Sequence, residues 1–215
     1  LCAVDPDGPE AALVVDLDAL EANVAKMAAH AKKSGIALRP HAKTHKSAEI
    51  ARRQIASGAV GVCVAKLAEA ETLSAAGIEN ILITSPVVTP RGLARLAALA
   101  KTAKGLIATV DSPDVARAMS ALLREAGVRL DVLVDVNIGL GRTGLEPNAA
   151  GALARGLGEA GFEHAVLGDR IDDQFLAGLE RQHQRAQRGV GQRLDGLAQR
   201  GLGLLRATVL ARVQR

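Results

Sequence analysis

The 215-residue chain contains no Tyr and no Trp, and only two Phe. Aromatic platforms for stacking on bases are therefore nearly absent, and the net charge of +4 is not gathered into one stripe. Together these argue against nucleic-acid binding. Cysteine is equally scarce. Cys2 and Cys63 do not make a disulfide framework, and a reduced, cytoplasmic setting is the default. Cys63, inside the apolar run 60–64, reads as a small buried hydrophobe. No apolar run approaches the roughly 20 residues that a membrane span needs. Residues 1–10 are acidic and proline-containing, with no basic stretch ahead of an apolar core, so they do not read as a signal peptide. The chain opens on Leu1 rather than Met, which points to a partial sequence.

What is abundant is Ala, Leu, Val and Gly. Hydrophobic residues make up 48% of the chain, enough for a packed domain. From residue 12 to residue 160, short β-branched runs alternate with longer Ala/Leu/Lys/Arg/Glu segments. Strands are expected at 12–16 (ALVVD), 37–41, 60–64, 80–84 (NILIT), 106–110 and 130–136 (LDVLVDV). Helices are expected at 17–33, 47–57, 68–76, 90–101, 113–126 and 147–160. Asp16 or Asp18 is a plausible N-cap of the first, Gly77 and Gly127 close two others, and Pro90 takes a first-turn position. This rhythm signals βαβ units and a parallel sheet, whose strands are covered on both faces. A (β/α) barrel and an open doubly wound sheet both fit.

Beyond residue 160 the composition shifts. All eight Lys lie at or before Lys104, while seven of the eight Gln lie between Gln174 and Gln214. The stretch 180–200 is rich in Arg, Gln and Gly, and no good strand is expected after it. A linker, an unusual tail and a shifted reading frame all account for such a change. The last is favoured, because misread GC-rich frames yield Arg, Gln, Gly and Ala. The expected division is 1–160 as the folded part and 161–215 as an atypical tail.

Two stretches carry chemistry. The first is 38–46, LRPHAKTHK, where a short strand ends in a cluster of cations. In parallel α/β folds, active-site groups gather at the C-terminal ends of strands. A lysine there, Lys43, can form a Schiff base with an aldehyde, and neighbouring cations with partial burial favour its reactive neutral form. Arg39 and Lys46 supply the cations. The competing reading is a solvated basic loop. His41 and His45 flank Lys43 at two residues on either side, and in an extended chain all three side chains share one face. A supporting hydrogen bond is the expected role for each histidine, ahead of a proton relay. A zinc site from this pair has too few ligands nearby.

The second stretch is 135–144, DVNIGLGRTG, with glycines at 139, 141 and 144 after a strong strand. The spacing fits a dinucleotide-binding loop literally, but no downstream strand bears a ribose-binding acid, and a lone glycine pattern is weak evidence.

The run Arg39-Pro40-His41-Ala42-Lys43-Thr44-His45-Lys46 resembles the cofactor-lysine motif of the D-threonine aldolase and D-serine dehydratase group, pyridoxal-phosphate enzymes of the alanine-racemase-like class. The resemblance continues through 12–20 (ALVVDLDAL), 58–71 (GAVGVCVAKLAEAE) and 81–88 (ILITSPVV), and covers about residues 11–150. Where that group usually has Thr-Pro before the first strand, this chain has Glu10 and Ala11. The resemblance implies a partial (β/α)8 TIM-type barrel of the alanine racemase N-terminal type, with the C-terminal β-domain missing. It implies pyridoxal 5'-phosphate as cofactor and Lys43 as its Schiff-base lysine. Arg142, in a G-x-G-R-x-G turn, matches the arginine that reaches the cofactor ring oxygen, and His41 and His45 belong to the cofactor-binding set. A divalent metal is expected for the group, but its ligands lie in the domain not recognisable here, and the substrate-side tyrosine of relatives has no counterpart. The implied activity is a lyase on small D-configured β-hydroxy amino acids, by aldolase-type Cα–Cβ cleavage or dehydratase-type elimination. Full-length relatives are expected to be homodimers, with no nucleic acid or membrane as partner. The alternative is a non-catalytic pyridoxal-phosphate-binding protein or an inactive fragment.

Overall fold

In a computed structural model of the chain, residues 14–137, 139, 141–159, 162–166 and 208–213 are described. The expected strand at 12–16 lies partly outside them. Its described part, Val14 to Asp16, is irregular, and both valines are exposed. By its contacts the chain divides into two units, residues 1–63 and 64–215.

The first unit holds α1 (Leu17–Ser34) and α2 (Ala48–Ala56). Asp16 caps α1, its carboxylate accepting the Ala19 N–H at 3.0 Å. Ser47 caps α2 by accepting the Ile50 N–H at 3.3 Å. At the far end of α1, Gly35 takes a left-handed φ of 63°. There the Ile36 N–H reaches back to the Ala31 carbonyl and the Gly35 N–H to that of Lys32. This motif satisfies carbonyls that the helix itself cannot pair. The same arrangement closes α2 at Gly58 and, in the second unit, α3 at Gly77 and α5 at Gly127.

The expected strand at 37–41 shrinks to one parallel bridge, His41 to Cys63. The Val60 N–H bonds the Leu38 carbonyl, the Cys63 N–H bonds that of Pro40, and the Ala42 N–H bonds that of Cys63. The next rung toward the N-terminus would need an N–H from residue 40, which is proline and has none. β1 (Val62–Val64) follows, and its last residue opens the second unit.

The second unit continues with α3 (Leu67–Ala75), β2 (Ile81–Ile83), α4 (Pro90–Ala100), β3 (Ile107–Val110), α5 (Pro113–Glu125), β4 (Asp131–Asp135), α6 (Pro147–Glu159), β5 (Phe162–Val166) and β6 (Thr208–Val213). The sheet order is β1-β2-β3-β4-β6-β5. β2, β3 and β4 pair in parallel, as the βαβ rhythm requires. β6 runs antiparallel to both β4 and β5, so the sheet is mixed rather than purely parallel. This corrects the expectation that no strand follows the composition change.

Burial alternates along β2 and through residues 131–134 of β4. In β2, Ile81 and Ile83 are sealed while Leu82 is half-buried, and in β4 Val132 and Val134 are sealed while Leu133 is half-buried. The sealed residues share the core with Leu96, Met119, Leu123 and Leu157 of the outer helices. One sheet face is therefore closed and the other less so, instead of two equally covered faces. Two threonines link strands: the Thr84 hydroxyl donates to the Val64 carbonyl at 3.0 Å, and that of Thr109 donates to the Ile83 carbonyl at 2.5 Å.

Candidate functional site

Lys43 sits on a turn just past the C-terminal side of the His41–Cys63 bridge. Ala42, almost fully buried, anchors this turn through its N–H bond to the Cys63 carbonyl at 2.7 Å. The Lys46 N–H closes it on the Ala42 carbonyl at 2.7 Å, and Lys46 itself takes a left-handed φ of 49°. A non-glycine residue rarely adopts that conformation. It turns the chain directly into the Ser47 cap of α2.

This geometry corrects two expectations. Residues 42–45 are not extended, so His41, Lys43 and His45 do not line one face. Nor is Lys43 partly buried. It is exposed, and its amine is held by no ion pair among the described residues.

The two histidines bond alike. His41 Nδ1 accepts the Lys43 N–H at 3.3 Å, and His45 Nδ1 accepts the Ser47 N–H at 3.0 Å. Each ring thus holds the backbone two residues ahead, and the neutral tautomer with hydrogen on Nε2 suits both. His45 is half-buried, and burial lowers its pKa from the ordinary value. Its Nε2 and the Oε1 of Gln54 are both buried without a well-formed hydrogen bond. Gln54 is still near enough to favour the charged ring, but burial outweighs it. Arg39 is also half-buried, and burial pulls its pKa down, with Cys63 acting the other way. The Cys63 thiol, half-buried rather than sealed as expected, donates to the Arg39 carbonyl at 3.4 Å.

Arg142 belongs to the second unit, on the loop between β4 and α6, and is exposed. The loop is closed at its base by a parallel bridge from Val136 to Leu145. The Asn137 N–H donates to the Leu145 carbonyl at 2.8 Å, and the Leu145 N–H to the Asp135 carbonyl at 3.1 Å. Asn137 Oδ1 accepts the N–H groups of Gly139 and Gly141 at 3.1 and 3.0 Å. The Thr143 hydroxyl donates to Asp135 Oδ2 at 2.7 Å, and the Gly144 N–H to Asp111 Oδ2 at 3.1 Å. Gly144 has a φ of 94°, and a Cβ there would stand 2.6 Å from the Asn137 nitrogen, so only glycine fits. These bonds also dispose of the dinucleotide reading. In that motif the loop N–H groups face a phosphate, whereas here those of Gly139 and Gly141 face Asn137.

Asn137, Asp135 and Asp111 were not singled out by sequence reasoning. Asp135 and Asn137 flank the end of a recognised strand and could have been noticed. Asp111 lies 33 residues from its partner Gly144, and nothing local marks it. A cavity of about 400 Å³ between α5 and α6 adjoins Asp111 and Leu145; its other walls are Arg117 and small or apolar groups such as Pro113, Ala116 and Leu153. His164 falls in β5, where only the backbone is described, and His183 lies outside the described residues. Among the described residues no cluster of His, Cys, Asp and Glu could hold a metal ion.

In each unit, taken by itself, the candidate residue follows the C-terminal end of a parallel-bonded segment, where α/β proteins place active-site groups. Residues 15–186 match the family model described as alanine racemase, N-terminal domain. The chain belongs to that family, and its fold is a partial (β/α)8 barrel of this type. It is 44% identical over 137 residues to D-threonine aldolase of Arthrobacter sp, covering 64% of this chain and 36% of that one. It is 37% identical over 134 residues to D-threo-3-hydroxyaspartate dehydratase of Delftia sp. (strain HT23), covering 62% and 35%. The crystal structure of D-threonine aldolase from Filomicrobium marinum superposes with a TM-score of 0.67 at 36% identity, covering 83% of this chain and 52% of that one. The chain thus spans about a third of the length of the curated relatives it matches.

Proposed function

We propose that this chain is the cofactor-bearing part of a pyridoxal-phosphate-dependent lyase acting on small D-configured β-hydroxy amino acids. The observation that carries this reading is the exposed Lys43 turn, lying within the residues matched to the family. The donor set suits the cofactor. Lys43 offers a primary amine, held by no ion pair among the described residues, to an aldehyde carbon, and Arg142 offers a planar guanidinium. When bound, pyridoxal phosphate supplies an electron sink for electrons released at the substrate Cα.

The remaining roles belong to the chain itself. Lys43 would hold the cofactor through its aldehyde, and its amine is the group that substrate would displace. Arg142 would face the cofactor ring. His41 and His45 support the cofactor segment by fixing the backbone at Lys43 and at Ser47, since their Nδ1 atoms are already occupied as acceptors. A divalent metal is expected for this class, and among the described residues no cluster would hold it. Aldolase-type turnover would release glycine and an aldehyde; dehydratase-type turnover of D-serine would release pyruvate and ammonia. Relatives of both kinds support the shared class. Residues 1–160 carry the cofactor machinery, the protein works in the cytoplasm, and its full-length relatives pair as homodimers. No described helix is long and apolar enough to cross a membrane.

The test is direct. The purified chain is incubated with pyridoxal phosphate, reduced with borohydride and peptide-mapped. The reduced adduct is expected on Lys43. An adduct on Lys46 or Lys66 instead would overturn the assignment.

A further inference from the structure

We infer that Asn137, held by Glu146, is the positioning residue that presents Arg142 to the cofactor. This rests on the reading of Arg142 as the cofactor arginine and adds how the chain places it. Three observations carry it. First, one carboxamide oxygen accepts the N–H groups of both glycines ahead of Arg142, Gly139 at 3.1 Å and Gly141 at 3.0 Å. Second, the same amide donates through Nδ2 to Glu146 Oε1 at 3.3 Å, which fixes which end of the carboxamide faces the glycines. Third, the Asn137 backbone closes the loop base through its bond to the Leu145 carbonyl at 2.8 Å.

Each of these groups matters for a physical reason. Gly139 and Gly141 have φ of 118° and 65°, conformations open to glycine, and two glycines in one short loop leave its backbone loose unless something collects their N–H groups. Asparagine can accept and donate at once, which a carboxylate cannot. On the other flank of Arg142, Thr143 and Gly144 are held by Asp135 and Asp111. Arg142 is thus the exposed residue between two anchored stretches, and Asn137 is the anchor that bonds both its side chain and its backbone into the loop. A charged group on a loose loop loses most of its binding value to misplacement, so preorganisation is the gain.

The experiment is a double-mutant cycle on the full chain, reading pyridoxal-phosphate affinity by equilibrium titration of its visible band. Arg142→Ala is expected to weaken binding about tenfold, the scale of one lost charge-assisted contact. Asn137→Ala is expected to do nearly the same. Combined, they should weaken binding no more than Arg142→Ala alone, because Asn137 acts through Arg142. Amide exchange at Gly139 and Gly141, measured without cofactor, should rise in Asn137→Ala. Additive losses would mean a merely structural residue and would overturn the inference, as would parent affinity in Asn137→Ala. Parent affinity in Arg142→Ala would instead overturn the underlying reading of the arginine. A second pair guards against misfolding. Asn137→Asp keeps the acceptor for both glycines but sets a carboxylate against Glu146; adding Glu146→Gln restores a donor–acceptor pair and should restore affinity. Failure of that rescue would overturn the role given to Glu146.

Discussion

Two histidines flank Lys43 at equal spacing, and each ring accepts the N–H two residues ahead, yet their settings differ. His45 is half-buried beside Gln54, and burial holds its pKa below the ordinary 6.5. The unfolded chain therefore takes up this proton at higher pH than the folded one. The stability that neutral His45 contributes is fully present above about pH 6.5 and is lost as pH falls through the folded value. The urea midpoint of the chain is expected to drop between about pH 7 and pH 5. His45→Asn, which keeps an acceptor for the Ser47 N–H, should flatten that drop. Identical slopes in the two proteins would show that another group governs it. At this scale the sequence was informative about residue type and poor about orientation. Only an extended chain would put residues 41, 43 and 45 on one face, but Ala42 is drawn into the interior by its bond to Cys63, and the chain turns to reach the Ser47 cap.

Helices were legible almost to the residue, because their ends are written in local chemistry. Asp16, Ser47 and Thr89 cap starts with a side-chain oxygen, and Gly35, Gly58, Gly77 and Gly127 follow the ends in left-handed backbone. Strands were legible as centres with frayed ends. The stretch 60–64 keeps only Val62–Val64, and 80–84 keeps Ile81–Ile83, since a strand extends only as far as its neighbour can pair. The helices are held by what they bury. Leu123 of α5 is fully sealed, so Leu123→Ala is expected to cost about 2–5 kcal/mol through lost burial and an unfilled cavity. A lower urea midpoint with an unchanged slope would show this; a midpoint within experimental scatter of the parent would place α5 outside the core.

At the scale of the whole molecule, the decisive feature is the strand next to β4. β6 pairs with β4 along five residues, from Asp131–Arg212 to Asp135–Thr208, and with β5 on its other side. It is an interior strand of the sheet, where proline removes a rung. Leu210→Pro should therefore lower the unfolding midpoint and raise amide exchange in residues 131–135. A protein as stable as the parent, with β4 equally protected, would show that the pairing does not hold in solution.

By itself, the sequence determined the βαβ alternation, the helix boundaries, the family and the two stretches that carry Lys43 and Arg142. All of these depend on contacts within a few residues or on residue type alone: a cap, a terminal glycine, a hydrophobic period, a run of cations. Only the tertiary structure decided that the 37–41 strand would be reduced to a bridge, that the sheet would become mixed beyond β4, and that Asp111 would hold a glycine 33 residues away. Those outcomes depend on which backbone groups meet across the chain. A hydrogen bond between distant residues leaves no period and no local signature in either of the segments it joins.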